Sequence, residues 1–260
     1  MTGNDHFTFN SGQGTDVGLR RQVNEDSFLS RAESGLWVVA DGMGGHAAGD
    51  FASQTIIREL FTIGVAGSGE DLQARFMERL IRANDAILAH AADLGRGSIG
   101  ATLVALLVHE RNYACIWSGD SRIYRLRDGV LEQQTRDHTE LQALIDADAI
   151  SPEEARDWPR KNVITRAIGV TAEPECDVMG GELALGDAFL LCSDGLTEHV
   201  EDPEIARAMT IHEPQDACEA LIALTLERGA KDNVTVICVR FDRPAPEAME
   251  AFDLQMDDLP

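Results

Sequence analysis

Two pairs of consecutive amphipathic helices constrain the fold of this 260-residue chain more than any other feature of its sequence. In the first pair, residues 48–61 and 71–92 carry apolar side chains at three-to-four spacing, the period of a helix face that packs on a core. In the second pair, Pro203 and Pro214 stand at first-turn positions and Gly229 follows the last apolar stretch. A doubly wound parallel sheet needs single helices alternating with strands, so this pairing argues against that fold.

Strand signals surround the two helix pairs. Residues 36–40, 101–108 and 113–117 are apolar runs of strand length. Between two further strand-like runs, Asp128-Gly129 predicts a hairpin with a two-residue turn. Because hairpins join antiparallel strands and the helices are grouped in pairs, we predict an α+β fold with antiparallel sheets.

The charge balance excludes several classes of partner. The chain has 45 Asp and Glu against 22 Lys and Arg, a formal net charge of −23. Binding to nucleic acid or to an anionic membrane needs clustered cations, so we expect neither partner. No apolar run approaches the roughly 20 residues of a membrane span, and the amino terminus lacks the parts of a secretory signal. The 5 scattered cysteines indicate buried thiols in a reducing compartment, which predicts a cytoplasmic location.

Acidic residues recur at the ends of the apolar runs. The positions are Glu25, Asp26, Asp41, Asp120, Asp194 and Asp232. Ordinary turn chemistry explains any one of them, because Asp and Gly favour turns. Their recurrence favours a metal centre, since carboxylates that meet at one sheet edge repel each other unless a cation joins them. Oxygen ligands without His or Cys at zinc spacing favour Mg²⁺ or Mn²⁺.

A set of motifs in fixed order carries a family resemblance. The motifs are RQVNEDS (21–27), VVADGMGGHAAG (38–49), SIGAT (98–102), WSGDSRIY (117–124), DHT (137–139), NVITRAIG (162–169), LLCSDGL (190–196) and KDNVTV (231–236). With them the chain resembles the metal-dependent Ser/Thr protein phosphatases of the type 2C (PPM) family, in particular its compact bacterial members. The resemblance implies a four-layer α-β-β-α sandwich of two antiparallel sheets flanked by helix pairs.

The resemblance also divides the chain. It implies a phosphatase catalytic domain over residues 1–241, with a flap segment at about 139–161 that influences substrate choice. Residues 242–260 are acidic and contain proline, so we predict a disordered tail, with a docking segment as the alternative.

The same resemblance implies a centre of two Mn²⁺ or Mg²⁺ ions and, in bacterial members, a weaker third. In this chain the matching positions are Asp41 as the bridge, Asp194 and Asp232 for the first ion, the Gly42 carbonyl, Glu25 and Asp26 for the second, and Asp120 with Asp194 for the third.

Two residues besides the metal ligands are predicted to act in catalysis. Arg21 matches the arginine that takes the substrate phosphate, with Arg20 as the alternative if the register shifts by one. His46 is placed to protonate the leaving alkoxide, and a structural histidine is the alternative. His138 is interpreted as a hydrogen-bonded histidine near the site. Trp158 stands where bacterial members often carry His, so a flap role built on that His does not transfer.

The implied function is metal-dependent hydrolysis of phosphoserine and phosphothreonine in proteins by a metal-activated water. The expected partners are phosphorylated proteins, including a cognate bacterial Ser/Thr kinase and its substrates, and the expected state is a monomer. Two alternatives stay open: a catalytically dead phosphopeptide-binding relative, which loss of Asp41, Asp194 or Asp232 would have favoured, and a hydrolase of small phosphate esters.

Overall fold

A computed structural model describes residues 7–44, 48–95, 99–156 and 158–242 of the chain. Its strands are β1 Thr8–Asp16, β2 Asp26–Arg31, β3 Leu36–Met43, β4 Gly100–Ala101, β5 Leu103–His109, β6 Asn112–Ser118, β7 Arg122–Arg127, β8 Val130–Gln133, β9 Asp177–Glu182, β10 Ala188–Cys192 and β11 Val234–Asp242. Its helices are α1 Ala48–Phe61, α2 Gly69–Asp93, α3 Glu140–Asp146, α4 Pro152–Arg156, α5 Asp194–Thr197, α6 Asp202–Ile211 and α7 Pro214–Glu227, with a short 3-10 helix at Ala32–Ser34.

The strands form two sheets. One has the order β1-β11-β10-β7-β8, and the other has the order β2-β3-β5-β6-β9, with the short β4 paired to the end of β3. All the neighbouring strands in both sheets run antiparallel. The predicted antiparallel arrangement is therefore confirmed.

Apolar cores separate the layers. One core lies between the helix pair α1–α2 and the second sheet and contains Ile56 and Phe76. Another lies between the two sheets and contains Trp37 and Phe189. A third lies between the first sheet and the pair α6–α7, where Leu221 is buried. The order is helix pair, sheet, sheet, helix pair, so the predicted four-layer α-β-β-α sandwich is confirmed.

The helices begin and end close to their sequence signals. The bounds of α1 are those predicted, and α2 begins two residues early because the Ser68 hydroxyl accepts a hydrogen bond from the Asp71 N–H at 3.1 Å. Pro203 and Pro214 lie in the first turns of α6 and α7. Past the end of α7, Gly229 adopts a φ of 104°, which a side chain would disfavour.

Two strand predictions have different outcomes. Asp128 and Gly129 have φ values of 51° and 78°, so the predicted hairpin turn between β7 and β8 is confirmed. The continuous strand predicted over 101–108 is wrong, since it is interrupted at Thr102. The Thr102 N–H donates to the Asp41 carbonyl at 2.8 Å, and its hydroxyl accepts from the Asp41 N–H at 3.3 Å.

The predicted flap segment contains α3 and α4 and returns close to its starting point. Thr139 forms an isolated bridge with Ile164, and the Thr165 N–H donates to the His138 carbonyl at 2.7 Å. Residues 243–260, nearly all of the predicted tail, lie outside the described residues. The tail and its boundary with the catalytic domain therefore stay predictions. Among the helices of the described ranges, none has the length and apolar character to cross a bilayer.

Candidate metal centre

The ends of strands from both sheets bring the predicted carboxylates together. Asp26 opens β2 and pairs directly with Asp41 of β3. Asp194 follows β10, Asp232 precedes β11, and Asp120 lies in the turn between β6 and β7. The sequence suggested that Asp41 stands at the tip of its strand. The structure differs, because pairing with β4 extends β3 to Met43. The sandwich thus collects acids that are far apart in the chain at one end of the sheets.

The electrostatics of these acids show that they are close neighbours. Burial raises the pKa of Asp41 well above its ordinary value, and the charges of Asp26 and Asp194 raise it further. Burial also raises the pKa of Asp194, with Asp120 as the largest neighbouring charge. For Asp26 and Asp120, burial raises each pKa to about 6. Ionised acids that disfavour one another in this way are stabilised by a bound cation.

Two oxygens of the cluster are buried without a hydrogen-bond partner. They are Oε1 of Glu25 and Oδ1 of Asp26. The other oxygen of Asp26 accepts hydrogen bonds from the hydroxyls of Ser193 at 2.8 Å and Thr235 at 2.7 Å. Buried polar atoms are nearly always paired, so unpartnered carboxylate oxygens indicate a place for a cation or its water.

The backbone at Gly42 leaves no room for a side chain. A Cβ there would lie 2.2 Å from the carbonyl oxygen of Gly49 and 2.7 Å from that of Glu25. The Gly42 N–H donates to the Glu25 carbonyl at 3.1 Å. A Cβ on Gly49 would in turn lie 2.7 Å from Oε1 of Glu25. These glycines let the start of α1 approach the predicted ligand of the second ion.

Within the described residues, no three His, Cys, Asp or Glu side chains are already arranged around one point as a coordination sphere. One contact that competes with such an arrangement is visible at Asp232, whose Oδ2 accepts from Nη2 of Arg21 at 2.6 Å. The donor set nevertheless fits Mn²⁺ or Mg²⁺, because it is made of oxygens, carries mutual repulsion and contains two unpartnered buried atoms.

Of the two residues predicted to act in catalysis, the structure describes one. Arg21 lies at the edge of the carboxylate cluster, and its side chain is 49% exposed. The hydrogen bond to Asp232 is the main cause that raises the pKa of Arg21. Arg20, the alternative, is exposed on the same loop. His46 lies outside the described residues, so its predicted role stays a prediction.

Asn233 organises the loop of residues 17–23, which carries Arg21. The sequence reasoning missed this role. The Nδ2 of Asn233 donates to the carbonyls of Val17 and Val23 at 2.9 and 3.0 Å, and its Oδ1 accepts from the Glu25 N–H at 2.8 Å. One side chain therefore joins both ends of this loop to the turn that carries Asp232. The signal was available, since Asn233 directly follows a predicted ligand in the KDNVTV motif.

Three hydroxyl residues that hold the carboxylates were also missed. Ser193 and Thr235 bind Asp26, and the Ser193 hydroxyl also accepts from the Thr235 N–H at 3.0 Å. Thr102 holds the Asp41 backbone, as described above. Each lies inside a recognised motif, beside or near a predicted ligand, but sequence spacing does not show which hydroxyl reaches which acid.

Known proteins match most of this chain in sequence. The family model described as Protein phosphatase 2C matches residues 14–225. The Serine/threonine protein phosphatase PstP of Mycobacterium tuberculosis is 41% identical over 226 residues, 86% of this chain and 43% of PstP. The Serine/threonine phosphatase stp of Listeria monocytogenes is 34% identical over 240 residues, 88% of this chain and 94% of that protein. The chain thus spans less than half of PstP and nearly all of the Listeria protein.

Solved structures share the fold. PppA, described as a key regulatory component of the T6SS in Pseudomonas aeruginosa, superimposes with a TM-score of 0.84 at 41% identity, covering 90% of this chain and 97% of that one. The M. tuberculosis PstP phosphatase superimposes with a TM-score of 0.85 at 38% identity, covering 90% and 99%. The PstP catalytic domain has also been solved with 2 manganese ions, at a TM-score of 0.82 and 38% identity, covering 91% and 100%. This chain therefore belongs to the protein phosphatase 2C family, the PPM-type Ser/Thr phosphatases of bacteria.

Proposed function

We propose that the protein hydrolyses phosphoserine and phosphothreonine in proteins, with Mn²⁺ or Mg²⁺ ions bound at the carboxylate cluster. The observation that carries this proposal is the meeting of buried acids from both sheets, with raised pKa values and two oxygens without a protein partner. The names of the relatives support it, since PstP and stp are Ser/Thr phosphatases, and so does the manganese in the PstP catalytic domain.

The roles that we assign to the acids are those that the family resemblance implies. We assign to the cluster two ions and a weaker third. Asp41 would hold both of the first two ions, with Asp194 and Asp232 at the first and with Glu25, Asp26 and the Gly42 carbonyl at the second. Asp120 together with Asp194 would hold the third. Bound there, divalent ions supply charge that offsets the phosphate anion, and they lower the pKa of water toward neutrality. The hydroxyls of Ser193 and Thr235 keep one oxygen of Asp26 in place, so its free oxygen faces one direction.

Arg21 binds the substrate phosphate in this proposal. Its guanidinium is planar and carries several N–H donors, of which Nη2 contacts Asp232, so other donors are available for phosphate oxygens. The loop is joined to Asn233 at both ends, which limits the entropy lost when the phosphate binds. Such a fork can hold two phosphate oxygens at once, whereas a lysine would act as a point charge.

We assign to His46 the proton that the leaving serine or threonine oxygen takes up. His46→Ala should lower kcat for alkyl phosphates by about 10²-fold, within the usual range for general acid catalysis. For p-nitrophenyl phosphate the loss should be smaller, because that leaving group needs little protonation. Equal losses on both substrates would show that His46 is structural.

Phosphorylated proteins are the proposed partners, among them a Ser/Thr kinase and the substrates of that kinase. This proposal extends the names of the relatives to this chain. A monomeric state and a cytoplasmic location stay predictions. Trapping with the inactive variant Asp194→Asn, followed by mapping of the captured phosphosites, would identify the partners.

Turnover in the presence and absence of metal tests the proposed function. A phosphoserine peptide, p-nitrophenyl phosphate and a panel of small phosphate esters are assayed with Mn²⁺, with excess EDTA, and with Mn²⁺ restored. We expect turnover of the peptide with Mn²⁺, its loss with EDTA and its recovery. Full turnover in EDTA would contradict the metal centre, faster turnover of the small esters would contradict the substrate class, and peptide binding without turnover would indicate a binding module.

A further inference from the structure

We propose that His138, with Asp177 behind it, is a positioning residue that fixes the turn carrying Asp120 to the base of the flap. This inference rests on the proposed function, because Asp120 is a metal ligand only within that proposal. The sequence marked His138 as a hydrogen-bonded histidine, and the structure shows which groups it joins.

The surroundings of His138 determine which ring nitrogen carries the proton. The residue is only 8% exposed. Its Nδ1 accepts a hydrogen bond from the Gly119 N–H at 3.2 Å, so Nδ1 cannot carry a hydrogen. The proton therefore lies on Nε2, which donates to Oδ2 of Asp177 at 3.1 Å. Nη1 of Arg166 is 3.3 Å from Nε2 but donates to Oδ1 of Asp177 at 2.8 Å.

Asp177 is suited to orient this ring. Burial alone would raise the pKa of its carboxyl group, but hydrogen bonds from His138 and Arg166 lower it overall. Asp177 is therefore an ionised acceptor, which keeps the proton on Nε2 and leaves Nδ1 free to accept. This is the arrangement by which a carboxylate fixes the tautomer of a histidine.

His138 binds both polar backbone groups of Gly119, the residue before Asp120. Besides the bond to Nδ1, the Gly119 carbonyl accepts from the His138 N–H at 2.8 Å. Gly119 has a φ of 109°, and a Cβ there would lie 2.7 Å from Cβ of Thr102. On the far side of Asp120, the hydroxyls of Ser121 and Thr102 are 2.7 Å apart and hydrogen-bonded. Asp120 thus stands between two anchored residues.

The same histidine joins the flap and the edge strand β9. Its carbonyl accepts from the Thr165 N–H where the flap returns, and Thr139 next to it caps α3 through the Gln142 N–H at 3.1 Å. Trp117, which pairs with Asp177 across β6 and β9, stacks on the imidazole at an interplanar angle of 19°. A displacement of the flap base would therefore reach the Asp120 turn through His138, whose backbone and ring both bind Gly119.

Two substitutions that keep different halves of the imidazole test this inference. His138→Asn places an amide oxygen where Nδ1 stands and can still accept from Gly119. His138→Gln places its amide near Nε2 and loses that acceptor. We expect His138→Gln to lower Mn²⁺-dependent turnover of p-nitrophenyl phosphate about tenfold, the usual cost of removing such a support, and His138→Asn to stay within about threefold of the native protein.

A double-mutant cycle shows whether His138 acts through Asp120. In an Asp120→Asn background, His138→Gln should cause no further loss, because the support then has nothing to position. Calorimetric titration of the full chain with Mn²⁺ is the second measurement. There, His138→Gln should weaken the binding step that Asp120→Asn removes, about tenfold, and leave the tighter steps unchanged. Glu182→Ala removes an exposed carboxylate at the other end of β9 and is the matched control, without effect on either readout.

Each result decides for or against the inference. It is wrong if His138→Asn loses as much as His138→Gln, if the losses of His138→Gln and Asp120→Asn multiply, or if Asp120→Asn changes neither turnover nor titration. Should His138→Gln fail to fold, Asp177→Ala removes the orienting carboxylate instead and should show the same dependence on Asp120. An inactive native protein would refute the proposed function, while the Mn²⁺ titration would still decide the role of His138.

Discussion

The two ends of β10 surround a buried acid with opposite charges. Before the strand, Asp187 is only 1% exposed, and its two oxygens accept from Nε and Nη2 of Arg127, both at 2.6 Å. It also accepts from the Ala184 N–H at 2.8 Å. After the strand, Asp194 faces other acids, and burial and their charges raise its pKa. One end is a closed ion pair and the other is an accumulation of like charge.

This difference shows that the acidic cluster is not a by-product of an acidic composition. At Asp187 the fold supplies a guanidinium that satisfies the carboxylate, as a buried charge requires. Near Asp194, Arg21 donates through Nη2 to a partly exposed acid, Asp232, and not to a buried one. Such an accumulation of like charge costs folding free energy. A protein retains it where a bound ligand compensates for that cost.

The largest effect that separates the two ends concerns turnover. Asp194→Asn should lower Mn²⁺-dependent turnover of p-nitrophenyl phosphate by about 10³-fold or more, since loss of a metal ligand removes several kcal/mol of transition-state stabilisation. Asp41→Asn should behave in the same way. Steady-state assays at saturating Mn²⁺ measure this effect.

The matched variant at the other end is Asp187→Asn. It should keep native turnover but lose about 1–2 kcal/mol of stability, because Arg127 loses a charged partner while staying partly exposed to water. Urea unfolding measures the loss. Comparable turnover for Asp187→Asn and Asp194→Asn would remove the distinction between the two ends.

The two arginines provide the next comparison. Arg21→Ala should raise KM for a phosphoserine peptide about tenfold or more, because a charge-assisted contact with the phosphate is lost. Arg127→Ala should leave KM unchanged and lower the midpoint of thermal unfolding. A KM for Arg21→Ala equal to that of the native protein would show that the arginine serves Asp232 alone.

The pH dependence of stability should also differ between metal-free and metal-bound protein. Asp26 and Asp120 have a folded-state pKa of about 6, above the ordinary 3.8, so their ionised forms oppose folding above that pH. With a chelator present, the free energy of unfolding should therefore rise by about 1–2 kcal/mol as the pH falls from 7 to 5.5, because these groups become protonated in the folded state. Saturating Mn²⁺ should abolish the rise, since it binds the ionised form. A steady loss of stability from pH 7 downward in chelator would contradict the raised pKa values.

The smallest effect concerns substrate charge. The net charge of −23 should repel acidic phosphopeptides at long range, so sites flanked by Lys or Arg should be hydrolysed a few times faster than sites flanked by Asp or Glu. Added salt should narrow the difference, because the Debye length falls to about 8 Å near physiological ionic strength. Equal rates for both peptides at low salt would show that the field of the whole molecule has no influence at the site.

Much of the fold could be predicted because its signals are local. Apolar periodicity and the prolines at residues 203 and 214 marked the helix pairs, and Asp128-Gly129 marked a hairpin that the structure confirms. The acids at strand ends were visible for the same reason, and the ordered motifs added the family. The break at Thr102 was not visible, because it depends on the Asp41 backbone, which the chain reaches only through β3.

The sequence alone determined which residue types stand at the ends of the strands and that the helices come in pairs, since both depend on neighbours within a few positions. Only the tertiary structure decided which oxygens stay unpartnered, that Arg21 contacts Asp232, and that His138 holds Gly119. Several contacts at the site join positions that are distant in the chain, 211 residues apart for Arg21 and Asp232 and 209 for Asp26 and Thr235, and even Gly119 and His138 are 19 residues apart. Their geometry is set by how two twisted sheets pack face to face, and no local pattern encodes that distance.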